Sequence, residues 1–155
     1  DQRKEAAKKY QKEMEEKYRI PVMVCDSVEE AVKGAEIICT VTPSKEPYLK
    51  AEWITPGAHI NAVGAFTPNT REIESSLMAK AKLYADQVEA MKKECGEYLI
   101  PKNEGLFGEE HITGSIGGIL AGQVPGREND TEITLFDALG LAVEDVACGR
   151  FLCRE

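Results

Sequence analysis

The stretch Ile37-Ile38-Cys39-Thr40-Val41-Thr42 constrains this chain more than any other. It carries no charge, is rich in β-branched residues and does not alternate between apolar and polar. Such a run suits a strand covered on both faces, as in a parallel sheet. Shorter strand candidates surround it: Val22–Cys25 after Pro21, His59–Gly64 after Pro56-Gly57, Leu83–Ala85, and His111–Thr113 as a last edge strand. Helix candidates lie between them. Gln2–Tyr18 places Ala6, Ala7, Tyr10 and Met14 at helical spacing among many Lys and Glu. Ser27 with Glu30 forms a capping box that opens a helix ending at Gly34. Pro68-Asn69-Thr70 precedes a helix over 72–81, and Asp86 caps another that Gly96 stops. A brief helix is expected over 116–121 and a terminal one over 139–152, apolar on nearly every side, while 96–110 and 122–130 read as irregular. Strands alternating with helices predict an α/β fold, a parallel sheet with right-handed crossovers.

A length of 155 residues fits one domain, and 43% apolar residues exclude a disordered chain. The formal charge of −8 argues against nucleic acid and against an anionic membrane surface, both of which need clustered Lys and Arg. No run is apolar and long enough to span a bilayer, and nothing at the start reads as a signal peptide. Five cysteines, with no CxxC pair, read as reduced thiols of a cytoplasmic protein. Cys25 and Cys39 read as core, and Cys148 and Cys153 do not share a helix face, so no metal site is expected. His59 and His111 read as structural histidines, and Trp53 as packing at the sheet edge.

In parallel sheets ligands sit beyond the carboxyl ends of the strands. The segments to inspect are therefore 40–44, 63–70 and Asp86-Gln87. Asp1 directly precedes a helix with no strand or glycine turn before it, and no GxGxxG occurs. The reading expected from this start and from the apolar terminal helix is a piece of a longer protein.

Specific blocks carry a family resemblance. Ala35-Glu36-Ile37-Ile38-Cys39-Thr40-Val41-Thr42-Pro43-Ser44 resembles the "AD-I-T-T-S" strand and loop of the ornithine cyclodeaminase/mu-crystallin family. Residues 56–65, PGAHINAVGA, followed by Pro68 and Arg71-Glu72, resemble its "PG-HINAVGA…P…RE" signature. Leu120-Ala121-Gly122 with Pro125-Gly126-Arg127 is similar to its "L-G-PGR" loop, and residues 134–145 to its "T-F-S-G-A-ED" segment. The blocks occur in family order along essentially the whole chain. The resemblance implies a Rossmann domain for NAD(H) or NADP(H), here over 1–130 without its first strand, Gly-rich turn and first helix. It implies that 131–155 returns to a dimerisation and substrate domain absent from this chain, which alone would be inactive, and that the full-length protein is a homodimer.

The same resemblance implies a coenzyme site. Asp1 falls where an acidic residue accepts the adenosine ribose hydroxyls, and Asp1-Gln2 favours NAD over NADP, with Arg3 leaving NADP open. Thr40, Val41 and Thr42 end a strand beneath the coenzyme, and Asn61, Val63 and Gly64 end the next. Gly64 would let the backbone approach a nicotinamide ring. Thr70 lies where some members place a Lys near the coenzyme, and Leu139 and Gly140 pack near the ring after Ala138, where relatives often have Ser. Phe66 occupies the position of the acid/base Asp of true cyclodeaminases, and an aromatic ring transfers no proton. The function implied is NAD(P)-dependent hydride transfer to or from a small α-imino or amino acid, as in ketimine or pyrroline-2-carboxylate reductases. Ornithine cyclodeaminase and a non-catalytic, crystallin-like binding protein are the alternatives. The catalytic acid and the carboxylate clamp would lie in the preceding, N-terminal part of the family's fold.

Overall fold

The computed structural model describes residues 3–153. Its elements are α1 (Lys4–Tyr18), α2 (Val28–Val32), β1 (Ile37–Thr40), β2 (His59–Ala62), α3 (Ser75–Lys80), β3 (Lys82–Ala85), α4 (Val88–Glu94), α5 (Gly96–Asn103), β4 (Ile112–Ser115), α6 (Ile116–Leu120), β5 (Thr134–Asp137) and α7 (Ala142–Leu152). The strands form one sheet in the order β1-β2-β5-β3-β4, every pairing parallel. This is the α/β, Rossmann-like parallel sheet with flanking helices that the sequence predicts.

The two faces of the sheet differ. Ile38, Ile60, Leu83 and Leu135 point to one side and pack on Leu77 and Met78 of α3, Met91 of α4, and Cys95 and Tyr98 at α5. The other side carries Ile37, Cys39, His59, Asn61, Thr134, Phe136, Lys82 and Tyr84, most of them only partly covered. The 121–132 loop closes part of that side: Tyr84 donates to the Pro125 carbonyl (2.8 Å), and Arg127 donates to Thr134 Oγ1 (3.0 Å). No helix of the described residues is long and apolar enough to cross a membrane.

Several expectations are corrected. Val22–Cys25 has no regular secondary structure and pairs with no strand among the described residues. Its backbone is instead held by α1, with Gln11 Nε2 donating to the Val22 carbonyl (2.5 Å) and Val22 N–H donating to Glu15 (3.2 Å). Residues 134–137, read as part of the terminal segment, form β5 at the centre of the sheet, so the sheet continues past the boundary expected at 130. Thr134-Leu135-Phe136-Asp137 is too short and too close to the helical pattern that follows for periodicity to separate it. The segment read as irregular contains α5, despite Gly96 and Pro101. Gly96 is required there, because a Cβ would collide with the carbonyl oxygens of Thr67 and Thr70. Cys39 is exposed, not core, because it lies on the open face of edge strand β1; Cys95 is the buried thiol.

The Ser27 cap forms as expected, its hydroxyl accepting from Glu30 N–H at 3.1 Å. Helix α4 is capped by the Gln87 side chain rather than by Asp86. The terminal helix α7 is exposed throughout, including its apolar residues Val143, Val146, Phe151 and Leu152, and also carries Glu144, Asp145 and Arg150.

Candidate active site

Strand register aligns the carboxyl ends. Thr40 lies beside Ala62, Ala62 beside Asp137, and Asp137 beside Ala85. The chain therefore leaves β1, β2 and β5 side by side, as Val41-Thr42, Val63-Gly64 and Ala138-Leu139-Gly140. Val63 N–H donates to the Thr40 carbonyl (2.9 Å) and Ala138 N–H to that of Ala62 (2.9 Å), so the alignment persists one residue beyond the strands. Most of the residues expected to touch a coenzyme thus share one edge. Three apolar side chains near this edge are uncovered: Val41 is 67% exposed, Val63 43% and Phe66 64%.

The loops are fastened from below by carboxylates. Glu72 is fully buried. Its Oε1 accepts from Thr42 N–H (2.6 Å) and from the Tyr48 hydroxyl (2.7 Å), and its Oε2 accepts from Gly64 N–H (3.1 Å). Glu97, also fully buried, accepts from the backbone N–H groups of Glu72 (2.5 Å) and Ile73 (3.2 Å). Asp86 fastens the third loop, Oδ2 accepting from Leu139 N–H (2.8 Å) and Gly140 N–H (2.9 Å), and Oδ1 from Gln87 N–H (2.6 Å). Asp137 ends β5 with one oxygen accepting from Cys95 Sγ (3.2 Å) and the other, Oδ1, without a partner. The Thr40 hydroxyl is likewise buried without a partner, so it faces the packed side rather than open solvent.

So many acidic groups in a low-dielectric core raise one another's proton affinity. Burial pushes Glu97 up to about 8, aided by the charges of Asp137 and Glu72 and opposed by its two backbone N–H donors. Burial pushes Asp137 up to about 7, with Asp86 and Glu72 adding to it and the Cys95 thiol opposing. Burial, then the neighbouring Asp137, raises the Cys95 thiol well above its ordinary value. Tyr48 is raised by burial and by Glu72, so it stays a hydroxyl donor.

Other expected residues are placed as follows. Asp1 lies outside the described residues. Asn61 sits one step back on the open face, bonded to His59 Nε2 (3.3 Å). Thr70 has its hydroxyl engaged with that of Thr67 (2.9 Å). A Cβ on Gly64 would collide with the backbone of Thr42 and the Glu72 carboxylate, so its glycine is needed for loop-to-loop contact within the protein itself. His59 bonds Thr134 Oγ1 (2.8 Å) and His111 bonds the Met78 carbonyl (2.7 Å), both as structural groups. Sequence reasoning missed Glu97 and Asp137 and the loop-fastening parts of Glu72 and Asp86. Asp137 was legible only as the polar end of an apolar strand, and that strand was not separated from the helix behind it.

The sequence model of the ornithine cyclodeaminase/mu-crystallin family matches residues 1–154. Ketimine reductase mu-crystallin of Mus musculus is 44% identical over 131 residues, 84% of this chain and 39% of that protein. The Thermococcus litoralis Delta(1)-pyrroline-2-carboxylate reductase, solved with NADH and L-proline, superposes with a TM-score of 0.90 at 39% identity, covering 94% of this chain and 45% of that one. An archaeal alanine dehydrogenase dimer with bound NAD superposes at 0.89 with 40% identity, covering 97% and 46%. The chain spans less than half the length of the curated relatives it matches, 45% and 39% of the first two.

Proposed function

Because the chain belongs to the ornithine cyclodeaminase/mu-crystallin family, we propose that its carboxyl edge holds the nicotinamide coenzyme of an oxidoreductase acting on a small α-imino or amino acid. The observation that carries this reading is the meeting of Val41-Thr42, Val63-Gly64 and Leu139-Gly140 at one end of a parallel sheet, where such folds bind dinucleotides. The edge suits that ligand. Val41, Val63 and Phe66 offer uncovered apolar surface for a flat ring. Glu72, Asp86 and Asp137 are turned inward and buried, so they present no exposed anion to the coenzyme phosphates.

When bound, the coenzyme supplies or accepts the hydride. The chain's own residues orient it. Loop backbones set its depth against the sheet, Thr42 offers a hydroxyl at the rim, and Phe66 forms a wall without proton chemistry. That wall favours reduction of a C=N bond, as in the ketimine and pyrroline-2-carboxylate reductases among the relatives, over expulsion of ammonia from ornithine. Asp1 favours NAD over NADP, because a carboxylate there accepts ribose hydroxyls and repels a 2′-phosphate. Thr40 sits beneath this edge, and Asn61 and Thr70 bond within the protein. We further read the protein as a cytoplasmic homodimer. Five unbridged cysteines fit a reducing compartment, and the apolar α7 offers a surface to bury.

The test uses the natural polypeptide that contains these residues. NADH and NADPH are titrated by coenzyme fluorescence, and NADH oxidation is followed with cyclic ketimine carboxylates. Tighter binding of NADH and turnover of a ketimine are expected. Absence of coenzyme binding would refute the reading. Proline and ammonia from ornithine with catalytic NAD would establish a cyclodeaminase instead, and tight coenzyme binding without turnover of any imino acid a binding protein.

A further inference from the structure

Resting on that coenzyme reading, we infer that Glu72 is a positioning residue, a preformed clasp that fixes the spacing of the two loops on which the coenzyme lies. Thr42 follows β1 and Gly64 follows β2, and no side chain of either loop bonds the other. The two backbone amides instead share one carboxylate, at 2.6 and 3.1 Å, and the Tyr48 hydroxyl fills the remaining acceptor site of Oε1 at 2.7 Å. The backbone of Glu72 is in turn held by Glu97 at 2.5 Å, so the clasp does not hang from a mobile segment. The missing Cβ of Gly64 lets its backbone close on Thr42 and on the carboxylate.

The chemistry requires a carboxylate. Three donors converge on the group, which must offer only acceptors. A glutamine of the same shape keeps one oxygen for Thr42 and Tyr48 but turns an N–H₂ toward the Gly64 N–H, two donors face to face. The loop after β2 then loses its anchor while the loop after β1 keeps its own. A hydrogen bond to a charged acceptor contributes about 1.5–3 kcal/mol, so losing it weakens whatever depends on the loop spacing by about tenfold or more.

The experiment compares the natural polypeptide with its Glu72→Gln variant, at a temperature where both are folded. Two readouts are taken: NADH affinity, and amide hydrogen exchange at Thr42 and Gly64. In the unmodified protein both amides should exchange slowly without coenzyme, and NADH should change their rates little. In the variant, Gly64 exchange should accelerate while Thr42 stays protected, and the Kd for NADH should rise about tenfold. A residue that only stabilises the fold would lower Tm and leave the Kd and the contrast between the two amides unmoved, which would overturn the inference. Fast exchange of either amide in the coenzyme-free, unmodified protein would overturn it too, even if the variant did not fold. Failure of the unmodified protein to bind NADH would instead remove the functional reading on which the clasp rests.

Discussion

Leu135 and Phe136 are neighbours in the central strand and point to opposite faces of the same sheet. Leu135 is fully buried against α3–α5, whereas Phe136 is only partly covered. The buried face also carries the concealed acids: Asp137 projects from it, and Glu72 and Glu97 pack among its helices and loops. The open face carries the two-way-bonded His59, Asn61 and the exposed Cys39. The contrast teaches that this fold conceals acidic side chains within its apolar core, under the candidate coenzyme edge, and leaves apolar Ile37 uncovered on the other face, a departure from the simplest inside-out rule. It is tolerated at Glu72, Glu97 and Asp86 because backbone amides supply the donors that a buried carboxylate needs, and at Asp137, which has only the Cys95 thiol, because burial favours the protonated form.

The contrast can be broken, and the largest effect belongs at the edge itself. Gly64→Val drives a side chain into the Thr42 backbone, and NADH affinity in the natural polypeptide should fall at least about 100-fold. Retained binding would refute the placement of the edge. Leu135→Ala comes next and should cost about 3 kcal/mol in urea unfolding, as deletions in packed cores do. Phe136→Ala should cost less, about 2 kcal/mol, since part of its area is already in water; equal losses for the two would show both faces to be equally packed.

Acidity sharpens the comparison further. Glu97 and Asp137 hold protons in the folded state, up to about 8 and about 7, that the unfolded chain releases near pH 4–5. The native state therefore binds more protons between those limits, and stability should fall as pH rises from about 5 to about 8. A thermal scan should show Tm falling by on the order of 5 °C across that window, and less in Glu97→Gln. A Tm that rises with pH there would contradict the burial assigned to these acids.

The alternation of helix and strand was legible because it is local: β-branched runs, proline breaks and the Ser27 cap each act within a few residues. So was the loop sequence around Gly64. Strand β5 was not, because Thr134–Asp137 is short and merges with the apolar helix that follows, and only pairing with β2 and β3 on either side makes it the centre of the sheet. Val22–Cys25 errs the other way, since strand-like residues form no sheet without a partner strand.

The sequence by itself determined the elements, the parallel sheet class, the family and the loops on which a ligand would rest, because these depend on periodicity and on residues adjacent in the chain. Only the tertiary structure decided that Glu72 joins two loops, that Asp86 serves the Leu139-Gly140 turn rather than α4, and that Asp137 and Glu97 are concealed together. Those partners lie up to 54 positions apart in sequence, as Asp86 and Gly140 do, and a carboxylate reveals which amides it accepts only once folding has brought their donors within reach.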